Sequence, residues 1–271
     1  MLNKQEAIAK IEKTFNTASD YFDAPALSFW NRFGLQTIDR LSLRSGDRVL
    51  DVCCGSGASA IPAAVRVGAT GIVLGIDIAE SLLELGREKS RQQGLKNIEF
   101  RYGDFENLGF PSESFDVIVC VFGIFFVPDM VAAIQELWRM VRPGGKLAIT
   151  SWGENLFEPA HQIFWDTVET EQPDLCQKFT PWKRISDPVS LQTLLESGGA
   201  KQVEVLAQAN THKLNTPEDW WTMVLGAGFR GTIEQLDPDA RERVRQANLQ
   251  LLEINKIDSL EVDVLYAIAQ K

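Results

Sequence analysis

The sequence is poor in the residues that build metal centres and disulfide frameworks. It has two histidines and four cysteines among 271 residues, and no two cysteines stand in a C-x-x-C spacing. Zinc sites and disulfide scaffolds draw on larger, closely spaced sets of these residues. We therefore expect no metal site. So few cysteines are typical of a reducing compartment, and a cytoplasmic location is expected.

Positive charge and long apolar runs are also scarce. The 27 lysines and arginines against 37 acids give a net charge of −10. Nucleic-acid binding needs a basic surface, and an anionic membrane would also repel this chain, so neither partner is expected. The longest apolar stretch, residues 117–127, contains Gly123 and is too short to span a bilayer. Charged residues throughout residues 4–13 argue against a secretory signal.

Between residues 48 and 152, apolar strands alternate with amphipathic helices. Strands are expected at 48–52, 72–76, 97–102, 116–122 and 146–152, and helices at 58–67, 80–93 and after Asp129. This alternation predicts a parallel sheet with helices on both faces. Further strands are expected at 202–209 and 261–269. Between them, Thr216-Pro217 and Asp237-Pro238 each predict the start of a helix.

The loop after the first strand carries a glycine motif. Residues 51–57 read DVCCGSG, and Gly55 and Gly57 allow a sharp turn and close approach to a ligand. Residues 55–60 also fit the dinucleotide pattern G-x-G-x-x-A, so an NAD-dependent oxidoreductase is one alternative. However, a carboxylate at Asp51 would repel a pyrophosphate. It suits a ligand with a positively charged amino group.

Two more acids follow the next two strands. Asp77 ends the second strand, twenty residues after Gly57, where an acid accepts hydrogen bonds from ribose hydroxyls. Asp104 follows the third strand, where a carboxylate can reach an adenine amino group. Open parallel sheets bind ligands at the carboxyl ends of their strands. The three acids therefore predict one nucleoside-binding edge.

Taken together, these motifs resemble those of the class I methyltransferases. Residues 51–57 resemble the motif D-x-G-x-G-x-G that binds S-adenosylmethionine (SAM), with Cys53 where many members have glycine. Residues 75–77 (GID) and 103–104 (GD) resemble the second and third motifs, and residues 142–147 (RPGGKL) resemble the turn into strand five. Residues 15–30 also resemble ubiquinone/menaquinone-type members, small-molecule methyltransferases in which such a segment folds over SAM.

The resemblance implies a Rossmann-like α/β fold. Its mixed sheet has seven strands in the order 3-2-1-4-5-7-6, with strand 7 antiparallel and with helical lid insertions. We expect one domain over 1–271, made of a cap at 1–44, a SAM-binding core at 45–152, and a lid with the last strands at 153–271. The residues implied to contact SAM are Asp51, Cys53, Gly55, Gly57, Asp77, Ile78, Asp104, Phe105, Val121 and, from the cap, Tyr21.

Methyl transfer from SAM is an in-line displacement, so the protein mainly positions the reactants and excludes water. A general base matters only when the acceptor keeps its proton until late, and His161 is then the better of the two histidines. A helix histidine without a catalytic role is the alternative. Aromatic residues cluster at and after the end of strand five: Trp152, Phe157, Phe164, Trp165, Phe179, Trp182, Trp220 and Trp221. They favour an apolar pocket, although core packing accounts for most of them.

The predicted function is SAM-dependent methylation of oxygen or carbon in a small apolar or aromatic metabolite. An N-methyltransferase is the alternative within the class, because the acidic charge suits a cationic amine. A SAM-binding protein without catalysis is the alternative outside it. The acceptor and the oligomeric state are left open by the sequence.

Overall fold

A computed structural model describes residues 4–176 and 180–271, so Phe179 and the first three residues of the expected cap lie outside the described residues. The chain divides into two compact units. The core unit comprises Trp30–Gly153, Pro181–Gln208 and Val264–Lys271. The helical unit comprises Met1–Phe29, Glu154–Thr180 and Ala209–Asp263. The expectation of one domain over 1–271 stays a prediction.

The strands form one mixed sheet. They are β1 Arg48–Val52, β2 Ile72–Asp77, β3 Ile98–Tyr102, β4 Phe115–Val121, β5 Val141–Glu158, β6 Val203–Gln208, β7 Thr211–Lys213 and β8 Ser259–Gln270. Their order is β3-β2-β1-β4-β5-β8-β6, and β7 pairs with β8. The pairs from β3 to β5 are parallel, whereas β8 is antiparallel to β6 and β7. The expected order is confirmed, with β8 as the expected strand 7 and the short β7 as an addition.

Helices precede, separate and follow these strands. They are α1 Lys4–Phe22, α2 Phe29–Asp39, α3 Ala60–Val67, α4 Glu80–Gln92, α5 Met130–Met140, α6 Ala160–Glu171, α7 Pro188–Ser197, α8 Pro217–Gly226, α9 Arg230–Ile233 and α10 Pro238–Ile254. The two helices expected after Thr216 and Asp237 are α8 and α10; each begins with proline behind a capping side chain. Within the described residues, we find no helix with the length and apolarity needed to cross a membrane.

The central strands are buried on both faces, which explains their continuous apolar sequences. Val49, Val117 and Ala148 contribute to a cluster that includes Ala60 and Ala64 of α3. The small side chains of α3 allow a helix to lie close to the sheet. This packing fixes the position of the loop that joins β1 to α3.

Strand β5 differs most from its sequence-based bounds. It begins at Val141, although residues 142–147 were expected to form the turn into strand five. Residues 142–145 form a bulge, because Phe115 pairs with Val141 but Val117 pairs with Lys146. Gly144 has a φ of +79° there, and its N–H donates to the Lys271 carbonyl at 2.7 Å. A contact with the far end of the chain therefore extends the strand beyond its local pattern.

The helical unit has an aromatic core of its own. The Phe229 ring lies 4.9 Å from that of Phe164 and 5.5 Å from that of Trp220. Trp220 Nε1 donates to Asn248 Oδ1 at 3.0 Å, and Asn248 Nδ2 donates to Thr167 Oγ1 at 2.7 Å. Buried polar groups with such partners stabilise one arrangement of a core. Packing thus accounts for several of the aromatic residues singled out in the sequence.

Candidate cofactor site

The three acids follow adjacent strands at one edge of the sheet. Asp51 pairs in register with Val119 of β4, and Asp77 of β2 pairs with Tyr102 of β3. Asp104 comes two residues after Tyr102, and its Oδ1 accepts from the Glu106 N–H at 3.0 Å. The carboxyl ends of β1, β2 and β3 therefore bring together the acids that were far apart in the sequence.

Asp51 is a fully buried acid. Its Oδ2 accepts a hydrogen bond from Ser59 Oγ at 2.6 Å, and its Oδ1 has no hydrogen-bond partner among the residues that the structure describes. Burial raises the pKa of Asp51 to about 7, and the charge of Asp77 adds to this, whereas the bond from Ser59 opposes it. A cationic group at Oδ1 would satisfy this oxygen and keep Asp51 ionised.

Asp77 joins strand β2 to the glycine loop. Its Oδ2 accepts from the Gly55 N–H and its Oδ1 from the Ala79 N–H, both at 2.9 Å. Burial raises the pKa of Asp77 above its usual value, although both backbone donors favour the charged form. The side chain is still partly exposed. A carboxylate oxygen has room for further donors, so Asp77 can anchor the loop and accept from a ligand.

Left-handed backbone shapes the loop between β1 and α3. Cys53, Gly55 and Gly57 have φ values of +60°, +51° and +89°. Glycine takes this conformation freely, whereas another residue pays about 1–2 kcal/mol. The loop is held by the Cys54 N–H, which donates to the Ile76 carbonyl at 3.1 Å, and by the Gly57 N–H, which donates to the Cys54 carbonyl at 2.9 Å. Cys53 thus keeps the backbone shape for which glycine is the ordinary residue.

The Cys53 side chain packs beside Gly123, which lies two residues after the end of β4. A Cβ built on Gly123 would lie 2.3 Å from Cys53 Cβ, 2.7 Å from Cys53 Sγ and 3.0 Å from Cys120 Sγ. Gly123 therefore leaves the room that the Cys53 side chain needs. The interaction of its thiol with that of Cys120, together with burial, holds the pKa of Cys53 well above its ordinary value.

The remaining expected contacts in the core unit lie at the same edge. Ile78 follows Asp77 directly, and Phe105 is a buried residue directly after Asp104. Val121 is the last residue of β4. The Gly103 N–H donates to the Asp77 carbonyl at 3.0 Å, which ties the end of β3 to that of β2.

Two expected site residues, Tyr21 and His161, belong to the helical unit. Tyr21 is 38% exposed, and the Arg230 guanidinium lies 5.9 Å from its ring centroid. His161 is buried, Trp165 Nε1 donates to its Nε2 at 3.1 Å, and its Nδ1 lies 3.2 Å from Glu158 Oε1. Because the Trp165 N–H only donates, Nε2 is the acceptor of that bond. Both assignments stay predictions.

A family model matches residues 4–168, more than half of the chain, and its description is the ubiE/COQ5 methyltransferase family. The chain belongs to this family. The resemblance to SAM-dependent methyltransferases is therefore confirmed, and SAM is the cofactor that the family membership assigns. The dinucleotide alternative loses its support, in agreement with the buried carboxylate of Asp51.

Two relatives illustrate the range of the family. Aklanonic acid methyltransferase DauC of Streptomyces sp. (strain C5) is 36% identical over 142 residues, which are 52% of this chain and 64% of that protein. Demethylmenaquinone methyltransferase of Listeria welshimeri is 36% identical over 162 residues, 57% of this chain and 67% of that protein. The match to the first relative thus spans less than two thirds of its length. Its activity is not carried over directly to this chain.

Solved structures support the fold. YcgJ of Bacillus subtilis superposes with a TM-score of 0.58 at 18% identity, covering 89% of this chain and 98% of YcgJ. Haemonchus contortus phosphoethanolamine N-methyltransferase 2, solved with phosphomonomethylethanolamine and S-adenosylhomocysteine, gives a TM-score of 0.61 at 17% identity, covering 98% and 60%. At these identities the likeness establishes the fold alone. It confirms the Rossmann-like methyltransferase architecture.

The residues of this family member fit SAM. Asp51 Oδ1, which has no hydrogen-bond partner in the described part of the chain, can accept from the cationic amino group of the methionine part. Asp77 has acceptor capacity for ribose hydroxyls, and Gly55 and Gly57 give the loop beside it its left-handed turn. In the described parts of the chain, no group of three or more metal-ligating side chains comes together.

Sequence motifs missed several residues that shape the site. Ser59 donates to Asp51, and Lys89 Nζ donates to Ser56 Oγ in the glycine loop at 2.8 Å. Gly123 and Cys120 surround the Cys53 side chain. None of them belongs to a motif, since their contacts come from elements that only the fold brings together. The role of Gly123 could have been suspected only from Cys53, which stands where the family motif has glycine.

Proposed function

We propose that this protein transfers the methyl group of SAM to oxygen or carbon of a small apolar or aromatic metabolite. The buried Asp51, whose Oδ1 lacks a hydrogen-bond partner among the described residues, and the neighbouring glycine loop anchored by Asp77 carry the proposal. Such a site suits a nucleoside joined to a cationic amino acid. The proposed contacts are the ten residues named from the resemblance, with Tyr21 as a lid residue.

The chain's own groups act by position rather than by covalent chemistry. When bound, SAM supplies an electrophilic methyl group, and transfer to an acceptor hydroxyl yields S-adenosylhomocysteine, the methyl ether and a proton. Asp51 and Asp77 would hold the two ends of the cofactor, so that the loop at Gly55 and Gly57 fixes its direction. Correct alignment of reacting groups lowers such a barrier by about 7–11 kcal/mol at most.

Aromatic side chains in the core unit favour a flat acceptor. The Phe122 and Trp152 rings stack at a centroid distance of 3.6 Å and an interplanar angle of 8°. Trp30, which is partly exposed, lies 5.6 Å from Trp152. Phe122 follows β4 directly, next to the proposed contact Val121. Phe122 and Trp152 are buried, so the partly exposed Trp30 is the ring of the three that can bind a planar apolar group through its area and quadrupole, which supports a ring-bearing acceptor.

His161 enters this proposal only as a secondary candidate. Its Nε2 accepts from Trp165, so uptake of an acceptor proton there requires that this hydrogen bond break. The proposed reaction uses solvent as the proton acceptor for an acidic phenol or enol. A base is needed only for a weakly acidic hydroxyl.

The test is a panel of phenols, quinols, enols and amines incubated with methyl-labelled SAM and read by mass spectrometry. Labelled product from a ring-bearing phenol, quinol or enol supports the proposal. Product from amines alone would favour the N-methyltransferase alternative and contradict ours. SAM binding without any product across the panel would favour a binding protein, and an Asp51→Asn, Asp77→Asn double variant provides the inactive control.

A further inference from the structure

Three cysteine sulfurs lie around the end of β1, and two of them face each other. Cys53 Sγ and Cys120 Sγ lie 2.7 Å and 3.0 Å from one point, the position of a Cβ on Gly123. Residue 123 is glycine, so it places no side chain between them. Cys54 turns the other way, since its Sγ would lie 2.8 Å from a Cβ on Gly75.

The backbones also allow a covalent link between this pair. Cys53 follows β1 and Cys120 lies in the neighbouring parallel strand β4, where Asp51 pairs with Val119. Strands about 4.8 Å apart with one residue of offset, about 3.3 Å, put the two Cα atoms roughly 6 Å apart. Disulfides span Cα distances of about 4.4–6.8 Å. The partly exposed Cys53 is open to a small reagent, whereas Cys120 is fully buried.

We propose that Cys53 and Cys120 are an oxidative modification site, at which a small disulfide oxidant links the two sulfurs and thereby weakens SAM binding. At alkaline pH the Cys53 thiol loses its proton, and the resulting thiolate attacks one sulfur of the oxidant RSSR and releases one thiol. The Cys120 thiolate then attacks the Cys53 sulfur and releases the second. The two cysteine sulfurs are oxidised, RSSR is reduced to two RSH, and the two cysteine protons end on the released thiols.

The effect on SAM rests on the proposed function, in which Cys53 lines the cofactor site. Bond formation draws Cys53 toward β4 and moves a backbone held at a φ of +60°. Asp51 stands two residues before Cys53 and Gly55 two residues after it. The shift therefore acts on both the cation acceptor and the loop that Asp77 anchors.

The experiment treats the full chain with oxidised glutathione at pH 8.5 and maps tryptic peptides without reduction. Cys120 lies in the peptide 102–139, and Cys53 shares the peptide 49–66 with Cys54. A Cys54→Ala variant removes this ambiguity. We expect a link between the two peptides in the wild type and in Cys54→Ala, none in Cys120→Ser, and slower linkage when saturating SAM is present.

Calorimetric titration of SAM supplies the second measurement. We expect the dissociation constant to rise about tenfold or more after oxidation and to recover with dithiothreitol, whereas reduced Cys120→Ser should bind SAM as tightly as the reduced wild type. The proposal is overturned if Cys53 takes up only glutathione, if Cys53 pairs with Cys54, or if the linked protein binds SAM as tightly as before. A reduced protein that binds no SAM would refute the cofactor site instead, while the peptide map still reports the link.

Discussion

Cys53 and Gly123 fill one space between them: a Cβ on Gly123 would lie 2.3 Å from the Cβ of Cys53. The family motif has glycine where this chain has Cys53, so the additional side chain is accommodated where residue 123 has none. Cys53 nevertheless holds the left-handed φ of +60° that the loop requires. The side chain that fits at position 53 therefore depends on the size of the side chain at position 123.

The first prediction follows from this coupling. Gly123→Ala should lower the free energy of unfolding by about 1–3 kcal/mol, because an overpacked core must shift. Adding Cys53→Gly should restore most of the loss, since the clashing atoms are gone, and the double-mutant cycle should show clear non-additivity. Urea unfolding measures both. Gly228→Ala, where a Cβ meets nothing within 4 Å, is the matched control; additive effects at 53 and 123 would contradict the coupling.

SAM affinity should depend on pH through Asp51. The pKa of Asp51 is raised to about 7, so protonation below that pH removes the charge that attracts the cationic amino group. Affinity should fall about tenfold from pH 8 to pH 6. Calorimetry in buffers of different ionisation enthalpy should also detect proton release on binding at pH 6. In Asp51→Asn the binding should be weaker and nearly independent of pH; a wild-type profile that is flat would refute the role.

The free energy of unfolding should also depend on pH through Asp51, in a direction set by its raised pKa. The folded-state pKa of Asp51 lies above its ordinary value of 3.8, so the folded chain binds this proton more tightly. Tighter proton binding stabilises the folded chain at low pH, and this stabilisation is lost as pH rises toward 7. Asp51→Asn, which stays neutral, should gain stability relative to the wild type by roughly 1–4 kcal/mol between pH 4 and pH 8. Thermal unfolding at both pH values tests this; an equal effect at pH 4 and pH 8 would contradict it.

Asp77→Ala should weaken SAM binding by about tenfold to a hundredfold, because hydrogen bonds to a charged group contribute about 1.5–3 kcal/mol. The substitution also frees the Gly55 N–H, so Asp77→Asn serves to separate lost charge from lost loop anchoring. Glu88→Ala, an exposed acid on α4, is the neutral control. Unchanged affinity in Asp77→Ala would exclude the ribose role.

A substitution of His161 can distinguish a structural role of this residue from a catalytic one. Its bonds with Trp165 and Glu158 predict that His161→Phe lowers the free energy of unfolding by about 1–3 kcal/mol. With any acceptor found in the panel, the pH dependence of kcat should keep its shape. Loss of the fall in kcat at acidic pH would instead support His161 as the base, because a general base must be unprotonated to accept a proton.

The sequence by itself determined the alternation of buried strands and amphipathic helices between residues 48 and 152, and with it the sheet and the common edge of Asp51, Asp77 and Asp104. Local patterns carry this information because burial on two faces needs apolar runs and because parallel strands end at the same edge. Local sequence also determined where the helices after Thr216 and Asp237 begin, since a capping side chain followed by proline acts within one turn.

Only the tertiary structure decided which groups meet at that edge. Ser59 reaches Asp51, Gly123 makes room for Cys53, and the end of the chain extends β5 through Gly144. These contacts join residues with no shared periodicity, so no local pattern encodes them. The partnerless oxygen of Asp51 and the facing sulfurs of Cys53 and Cys120 are likewise consequences of packing, because burial and distance are properties of the folded chain alone.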